Sequence, residues 1–511
     1  MVLSMSVAKS SFVFRVLSRI ESAGNRLPPP TLLFVYLALG ILLLSALASW
    51  LGVSALHPVT KEPIQALNLL STEGLHRILT STVTNFTQFA PVGTVLVAML
   101  GIGVAERSGL FAVVLGALVR RAKGAWLTMV VVFLAIMSSL AADTGYVVLI
   151  PLAALMFHAA GRHPLAGIAA AFAGVSGGYS ANLLLGPFDA ILAGISTEAA
   201  QIIEPNYQVN IAANYYFMIA STFLITIVGT FVTNRWVEPR LMAESTEQLQ
   251  FSEAVVNASD DGGSIFNDRR GLIAVGIVSV IVVGLLLWGL IPSDGVLRSA
   301  QGEVLRSPFI KGIVVIVSVY ALLCGVVFAR VSGRWKNLSE CVVAMELSMA
   351  TMASYLVLMF FAAQFVAYFS WSQLGIISAI EGANQLRSWE LSQQYLLLIF
   401  VFIAASINLL IGSGSAKWAL LAPIFVPMLL LAGIPPENSQ IAFRIGDSVT
   451  NIITPLMPYF GVVIAYAQRY QPNLGIGTLM ALMLPYSVSF LIAWSALMMV
   501  WLWLGWPLGL S

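Results

Sequence analysis

Residues 411–418 read I-G-S-G-S-A-K-W, and residues 443–455 read F-R-I-G-D-S-V-T-N-I-I-T-P. The sequence around both runs is apolar enough to lie in a lipid bilayer, yet the runs contain Lys417, Arg444, Asp447 and Asn451. Charged and polar side chains at membrane depth are energetically costly, and they usually mark a pathway or a binding site. The two runs therefore predict an intramembrane site, which the rest of the chain must support.

The composition is that of an integral membrane protein. Of the 511 residues, 59% are hydrophobic and only 9% are charged, and the mean hydropathy is +0.91. Soluble proteins contain roughly 25% charged residues. The net charge of +2 says nothing about nucleic acid and no basic patch argues for such a partner, so we expect none, and the cysteines and histidines show no metal-binding spacing. We therefore expect a lipid bilayer as the main surrounding and no cofactor beyond a candidate sodium ion.

Long apolar segments predict many membrane crossings, since a helix needs about 20 apolar residues to span a bilayer. We predict an all-α polytopic protein with nine spans, at residues 31–53, 89–105, 165–195, 212–233, 272–291, 310–329, 342–369, 441–470 and 479–504. Two further long segments, 126–158 and 395–431, are interrupted near Asp143 and at residues 412–415. These two predict re-entrant hairpins.

The chain divides at a charged linker, residues 237–270, which we expect to be cytoplasmic. Residues 1–30 predict a cytoplasmic segment with an interfacial amphipathic helix at 11–23. The first repeat then covers 31–236, with a hairpin at about 125–160 and a broken helix at about 164–200. The second repeat covers 271–511, with a hairpin at about 395–433 and a broken helix at about 440–470. The expected breaks in the two helices are 176–182 and 446–451.

The two halves echo each other in sequence. The run D-T-G-Y-V-V-L-I-P-L from Asp143 resembles S-A-K-W-A-L-L-A-P-I from Ser415, and G-G-Y-S-A-N from Gly177 matches G-D-S-V-T-N from Gly446. The second match pairs Asn182 with Asn451. Because the matches occur in the same order in both halves, they predict an internal repeat.

The distribution of basic residues predicts the orientation. With the N-terminus inside, 16 Lys and Arg residues fall in cytoplasmic segments and 6 fall outside, while Arg107, Lys417 and Arg444 lie at membrane depth. This bias agrees with the positive-inside rule. It places the C-terminus on the periplasmic side of a bacterial inner membrane, and it makes the two hairpins enter from opposite sides. The repeats are therefore predicted to be inverted.

Inverted repeats with paired broken helices are typical of secondary transporters, whose site lies at the repeat interface near the membrane midplane. Free backbone groups at such breaks, together with Ser, Thr, Asn and Asp oxygens, can bind anions or a sodium ion. The interrupted segments therefore predict a sodium site near Gly177, Asn182, Gly412 and Asn451. Close helix packing through small residues is the alternative explanation for these glycines.

Several runs identify a family resemblance. The sequence resembles the p-aminobenzoyl-glutamate transporter (AbgT) family in the runs N-F-T-Q-F-A-P-V-G-T-V-L-V from Asn85, R-H-P-L-A-G-I-A-A-A-F-A-G-V-S-G-G-Y-S-A-N from Arg162, W-A-L-L-A-P-I-F-V-P-M from Trp418 and R-I-G-D-S-V-T-N-I-I-T-P from Arg444. The resemblance implies a homodimer with nine spans and two hairpins per subunit. It implies transport of p-aminobenzoyl-glutamate, with export of sulfonamide antimetabolites by some members, driven by a proton or sodium gradient.

The resemblance also implies site residues. It assigns Ser415 and Trp418 to the substrate site, and it marks Asp189, Arg444 and Asp447 as essential positions. From the repeat, we add Asn182 and Asn451 as candidate substrate ligands.

Chemistry suggests a role for each charged residue, with an alternative for most. Arg444 can bind a carboxylate through two parallel hydrogen bonds, or it can pair with Asp447 one helical turn away. Trp418 offers an aromatic face to a substrate ring, or it packs within the hairpin. Asp143, Asp189 and Asp447 are candidates for ion or proton coupling. Asp143 can instead cap the helix that follows it.

Two other functions are compatible with parts of the pattern. A sodium-coupled dicarboxylate importer of the same broad architecture is the main alternative to the transporter described above. An intramembrane aspartyl protease using Asp447 is disfavoured, because no partner motif of the expected type is present and inverted hairpins have no use in a protease. We therefore expect a transporter and not an enzyme.

Overall fold

The computed structural model describes residues 30–56, 62–121, 126–141, 145–244, 265–292, 294–299, 307–454, 456–457 and 459–510. Three predicted features lie outside these residues: the interfacial helix at 11–23, Asp143, and positions 245–264 of the linker. The described ends of the linker are helical, since one helix runs to Glu244 and another starts at Ile265.

The first half is helical apart from one small hairpin, in which β1 (Ser54–Leu56) pairs antiparallel with β2 (Pro63–Gln65). This hairpin was not predicted. The helices are α1 (Pro30–Trp50), α2 (Thr72–Thr87), α3 (Ala90–Arg107), α4 (Leu110–Arg121), α5 (Trp126–Met137), α6 (Ile150–Ala159), α7 (Pro164–Phe172), α8 (Pro187–Ala200), α9 (Tyr215–Val232) and α10 (Glu238–Glu244).

Within the described residues, the regular secondary structure of the second half consists of helices alone. Its helices are α11 (Ile265–Leu290), α12 (Pro308–Lys311), α13 (Ile313–Val331), α14 (Ser339–Thr351), α15 (Ala353–Trp371), α16 (Leu374–Ser388), α17 (Gln393–Asn408), α18 (Gly414–Leu431), α19 (Pro436–Asn451), α20 (Phe460–Gln468) and α21 (Ile476–Trp503).

The described part of the chain contains eight helical segments that are long and apolar enough to cross a membrane. Several shorter apolar helices accompany them, among them Trp126–Leu140, Pro164–Gly177 and Gln393–Asn408. The shorter helices coincide with the segments predicted to form hairpins or broken spans. The chain is therefore a multi-pass, almost all-helical membrane protein.

The surface and the core of the bundle differ in the way a membrane requires. In the segment Asn267–Leu290, only 6% of the residues in the most apolar stretch are buried, and large side chains such as Ile277 and Val280 are exposed. By contrast, every residue of α7 is buried. Buried helices such as α7 form the interior of the bundle. The interrupted segments therefore lie within protein, where irregular backbone is tolerated at membrane depth.

The interruption of the first broken helix lies close to the predicted position. A π-helical turn, Ala173–Gly177, continues α7, and the chain then leaves helical geometry until α8 begins at Pro187. The first hairpin also changes geometry where expected, through a 3₁₀ turn at Ser138–Ala141 and a π turn at Gly145–Leu149.

The predicted break of the second broken helix is wrong by several residues. Helix α19 continues through Gly446 to Asn451, and the interruption occupies the residues between Asn451 and Phe460. Gly446 instead permits close packing on α17, because an added Cβ atom would lie 2.4 Å from the Val401 carbonyl oxygen and 2.8 Å from the Ala404 Cβ. Here the packing explanation for a glycine applies.

The segment predicted as a single span, 342–369, is not one continuous helix. The structure has two helices there, α14 and α15, which meet at Met352.

We predict that Gly446→Ala destabilises the protein. The new methyl group would overlap backbone of α17, and overpacking of this kind costs about 1–3 kcal/mol. The midpoint of thermal unfolding in detergent should fall by several degrees. Gly284→Ala is the matched control, since nothing lies within 4 Å of a Cβ at that helical position. Equal stability of the two variants would contradict this assignment of Gly446.

Candidate functional site

The interrupted segments of the two halves lie against each other. Helix α17 packs on α19, and α18 packs on α8 of the first half. The Ser180 N–H, in the first interruption, donates to the Ser448 hydroxyl of α19 at 3.2 Å. Together, α17 and α18 therefore lie between α19 and α8 of the first half.

A buried ion pair joins the two broken helices. An Arg444 Nη2 atom of α19 lies 2.6 Å from Asp189 Oδ1 of α8, and the side chains are 3% and 6% exposed. The other carboxylate oxygen of Asp189 accepts a hydrogen bond from the Gly186 N–H at 2.7 Å. Asp189 thus satisfies a free donor at the start of α8, where the helix dipole favours a negative charge. The two residues are 255 positions apart in the sequence, so only folding of the chain brings their charges together.

A second buried ion pair joins the second hairpin to its broken helix. The Lys417 ammonium of α18 lies 2.5 Å from Asp447 Oδ1, and each side chain is 1% exposed. The ammonium also donates to the side-chain oxygen of Asn408, at the end of α17. The Asn408 amide nitrogen in turn donates to the Asp447 carbonyl, to Thr450 and to Asn451. One charge of each sign is therefore held in a dense polar network.

A cavity of about 250 Å³ opens beside these pairs. Its polar wall includes the predicted residues Gly412, Ser415, Asp447 and Asn451. Its remaining wall is largely aromatic, with the rings of Tyr146, Tyr179, Phe188 and Tyr459. Tyr146 stacks on Tyr459 with ring centroids 4.4 Å apart, and Tyr179 meets Phe188 edge-on at 4.9 Å. The cavity can accommodate a flat aromatic group next to the Asp447 carboxylate and the side-chain oxygens of Ser415 and Asn451.

A second, much smaller cavity of about 20 Å³ contains the other predicted polar residues, Asn182, Asp189 and Arg444. Tyr179 and Phe188 line both cavities. The side-chain amide of Asn182 donates to Ser139 of the first hairpin at 2.9 Å. The predicted polar residues thus divide between two neighbouring spaces.

Trp418 lies outside both cavities. Its indole is fully buried, with the ring 4.6 Å from that of Phe443, and its N–H donates to the Ser196 hydroxyl of α8 at 3.0 Å. In this conformation Trp418 therefore packs against neighbouring helices, as in the alternative to a substrate-binding role.

Other predicted positions fall in different surroundings from those expected. The alternative pairing of Arg444 with Asp447 within α19 is not formed, because each takes a partner from another helix. Gly177 lines neither cavity, and an added Cβ there would meet the apolar side chains of Phe490 and Ile452. Asp143 lies outside the described residues.

Sequence reasoning missed two kinds of site residue. Asn408 was overlooked because it ends an apolar run, although a lone amide before the Gly-Ser break is the available signal. The rings of Tyr179, Phe188 and Tyr459 were overlooked because aromatic residues are common in membrane helices. Their positions next to breaks or prolines could have identified them.

A larger cavity, of about 410 Å³, lies elsewhere. It is lined by parts of α2, α8 and α15, including Asn85, Gln88, Glu198, Gln201 and Trp371. None of the predicted site residues lines it. We therefore place the candidate site at the smaller cavities, where the buried charges are.

The sequence is similar to known transporters over its whole length. The AbgT putative transporter family matches residues 15–511. The p-aminobenzoyl-glutamate transport protein of Escherichia coli (strain K12) is 36% identical over 508 residues, which are 99% of this chain and 98% of that protein.

Two solved structures have the same fold. The crystal structure of the Alcanivorax borkumensis YdaH transporter, described as having an unusual topology, matches with a TM-score of 0.89 at 54% identity, over 94% of this chain and 100% of that chain. The Neisseria gonorrhoeae MtrF structure, described as illuminating a class of antimetabolite efflux pumps, matches with a TM-score of 0.90 at 48% identity, over 95% and 97%.

We predict strong energetic coupling between Asp189 and Arg444. Breaking a buried pair by removing one partner costs about 3–5 kcal/mol, because the other charge is left uncompensated. Asp189→Asn should therefore lower the thermal midpoint substantially, and the double variant Asp189→Asn with Arg444→Gln should recover much of the loss.

The control for this cycle is Asp268→Asn, which breaks the more exposed pair with Arg334. Exposed pairs contribute about 0–1 kcal/mol, so this variant should be close to wild type. Additive losses in the double variant would show that the two buried charges are not coupled.

Proposed function

The chain belongs to the AbgT putative transporter family, and we propose that it is a secondary active transporter of p-aminobenzoyl-glutamate and related p-aminobenzoate-like compounds, including sulfonamide antimetabolites. The relatives support both substrate types, since one is a p-aminobenzoyl-glutamate transport protein and another represents antimetabolite efflux pumps. The proposal assigns no enzymatic step to the chain.

The observation that carries the proposal is the buried Arg444 between the two broken helices. Its Nη2 is held by Asp189, but its Nε has no hydrogen-bond partner among the described residues. A buried donor without a partner is unfavourable, so its presence points to a ligand that completes it. A carboxylate can accept two parallel hydrogen bonds from a guanidinium. We assign Arg444 to the glutamate carboxylate of the substrate.

The aromatic wall of the 250 Å³ cavity beside Asp447 supports the other half of the substrate. Offset-stacked and edge-on ring pairs are favourable, so a benzoyl ring fits between Tyr179, Phe188 and the stacked pair of Tyr146 and Tyr459. Asn182, Ser415 and Asn451 supply hydrogen bonds to the amide and amine groups, and Trp418 holds the hairpin against α8. Substrate recognition is thus divided between one charge and several rings.

The proposed coupling step acts on Asp189. While Asp189 is ionised, it competes with a substrate carboxylate for Arg444. Binding of a proton or a cation to Asp189 would remove this competition and release Arg444 to the substrate. Asp447 and Asp143 are the other coupling candidates, and the driving gradient is one of protons or of sodium. An ion that favours the substrate-bound state in this way drives transport by linkage.

We also propose the finer architecture that this mechanism needs. Each subunit has nine spans and two re-entrant hairpins, the repeats are inverted, the N-terminus is cytoplasmic and the C-terminus periplasmic. The protein works as a homodimer in the bacterial inner membrane. Supporting observations are the short interrupted helices within the bundle and the two structural relatives.

Reconstituted flux tests the substrate and the driving ion. Proteoliposomes should accumulate or release labelled p-aminobenzoyl-glutamate and a labelled sulfonamide, with the proton and sodium gradients varied separately. Absence of flux under every gradient would contradict the proposal. Competition by succinate and not by p-aminobenzoyl-glutamate would identify a dicarboxylate importer instead.

The site assignment has its own test in the same vesicles. Arg444→Lys should raise the half-saturating concentration of p-aminobenzoyl-glutamate about tenfold or more, since a charged hydrogen bond contributes roughly 1.5–3 kcal/mol. Asp189→Ala and Asp447→Ala should abolish gradient-driven flux. Arg334→Lys, at the distant exposed pair, is the matched control and should retain flux. Wild-type transport by both alanine variants would refute the site.

A further inference from the structure

The Lys417 ammonium occupies a position built for a cation. It lies 2.5 Å from Asp447 Oδ1 and also donates to the Asn408 side-chain oxygen, and its side chain is 1% exposed. Carboxylate and amide oxygens are the ligands that hard cations prefer. Next to this position, the chain leaves helical geometry between Asn408 and Gly414. Such a break is where transporters coordinate sodium.

The neighbouring oxygens are already engaged. The Asn408 amide nitrogen donates to the Asp447 carbonyl, to Thr450 Oγ1 and to Asn451 Oδ1, at 2.5, 2.7 and 3.0 Å. A sodium ion at this place would have to displace the ammonium and compete with these hydrogen bonds. The donor set has the right chemistry for sodium, but a side chain of the protein itself fills it.

The charge balance points the same way. Lys417 with Asp447 and Arg444 with Asp189 form two neutral pairs, all four side chains being at most 6% exposed. In the substrate-free site with both pairs intact, an added sodium ion would leave a net positive charge in this buried region, which is strongly unfavourable at membrane depth. Sodium can therefore bind at Asp447 only when the ammonium is removed.

A purely structural role explains the pair less well. Replacing a buried ion pair by apolar side chains is often neutral or stabilising, so stability alone gives little reason to keep a lysine here. Asp447 also lines the 250 Å³ cavity, and an added Cβ on Gly414 would lie 3.5 Å from its Oδ2 atom. The carboxylate is thus shared between the cavity and the ammonium.

We propose that Lys417 is a tethered cation that takes the place of sodium at Asp447, so that the wild-type protein has no sodium site there. The inference rests on the proposed function for its biological meaning, since it predicts that transport uses no sodium ion bound at Asp447. Its test measures ion binding and not flux, so the two proposals can fail separately.

The experiment compares the thermal unfolding midpoint of the full-length, detergent-purified protein in sodium chloride and in choline chloride at equal ionic strength. Wild type should show no sodium-specific shift. Lys417→Gln should show a saturable sodium-specific rise of several degrees, because a ligand that binds only the folded state stabilises it by mass action. The double variant Lys417→Gln with Asp447→Asn should lose that rise. Lys336→Gln, an exposed lysine elsewhere, is the matched control and should behave like wild type.

Two results would overturn the proposal. One is a saturable sodium-specific rise in wild type that Asp447→Asn abolishes, since it would show that sodium binds beside Lys417. The other is a folded Lys417→Gln variant without any sodium response. If Lys417→Gln aggregates in choline but is monodisperse in sodium, the proposal is supported. If it aggregates in both salts while the double variant is monodisperse, sodium does not replace the ammonium and the proposal is wrong.

Discussion

The cost of placing charge inside a membrane protein is the constraint on which this site depends. An isolated charge at membrane depth is strongly unfavourable, so every charge there needs a partner or an aqueous path. Here Asp189 pairs with Arg444 and Lys417 pairs with Asp447. The first pair joins the two halves and the second joins the hairpin to its broken helix. Because the first pair forms only when the two halves are packed together and the second only when α18 lies against α19, the same interactions that make the site charged also fix its geometry.

Helix ends inside the bundle are stabilised by the same groups. The first residues of a helix leave N–H groups without partners, and a nearby oxygen has to satisfy them. Asp189 accepts the Gly186 N–H at the start of α8, and the Ser413 hydroxyl accepts the Ala416 N–H at the start of α18. Two helices can therefore begin in the interior. Asp189 serves the helix end and Arg444 at once, which makes its carboxylate sensitive to any ligand that approaches the guanidinium.

The sequence predicted the fold class and the participating segments better than it predicted local geometry. Hydropathy and breaks placed the interrupted helices, because an apolar segment too long for one span and interrupted by Gly, Ser or Asp is not a single membrane-spanning helix. It failed at Gly446, since a glycine that unwinds a helix and a glycine that permits close packing look alike in one dimension. It named Arg444 and Asp189 as candidate site residues, but the pairing it offered for Arg444 was the nearby Asp447, because the contact that forms spans 255 positions of chain. Trp418 illustrates the same limit, since only packing distinguishes a buried ring from an exposed one.

The arrangement of the two cavities constrains how a substrate would bind under the proposed function. Arg444 lines the 20 Å³ cavity, whereas Asp447 and most of the aromatic rings line the larger, 250 Å³ cavity of the site. Tyr179 and Phe188 line both cavities and meet edge-on at 4.9 Å, so they stand between the two spaces. A ligand that places its carboxylate at Arg444 and its ring in the larger cavity must contact this pair. A ligand shifts a conformational equilibrium only when it binds one of the two conformations more tightly than the other. Movement of Tyr179 and Phe188 on substrate binding would give the substrate-bound conformation contacts that the conformation described above lacks.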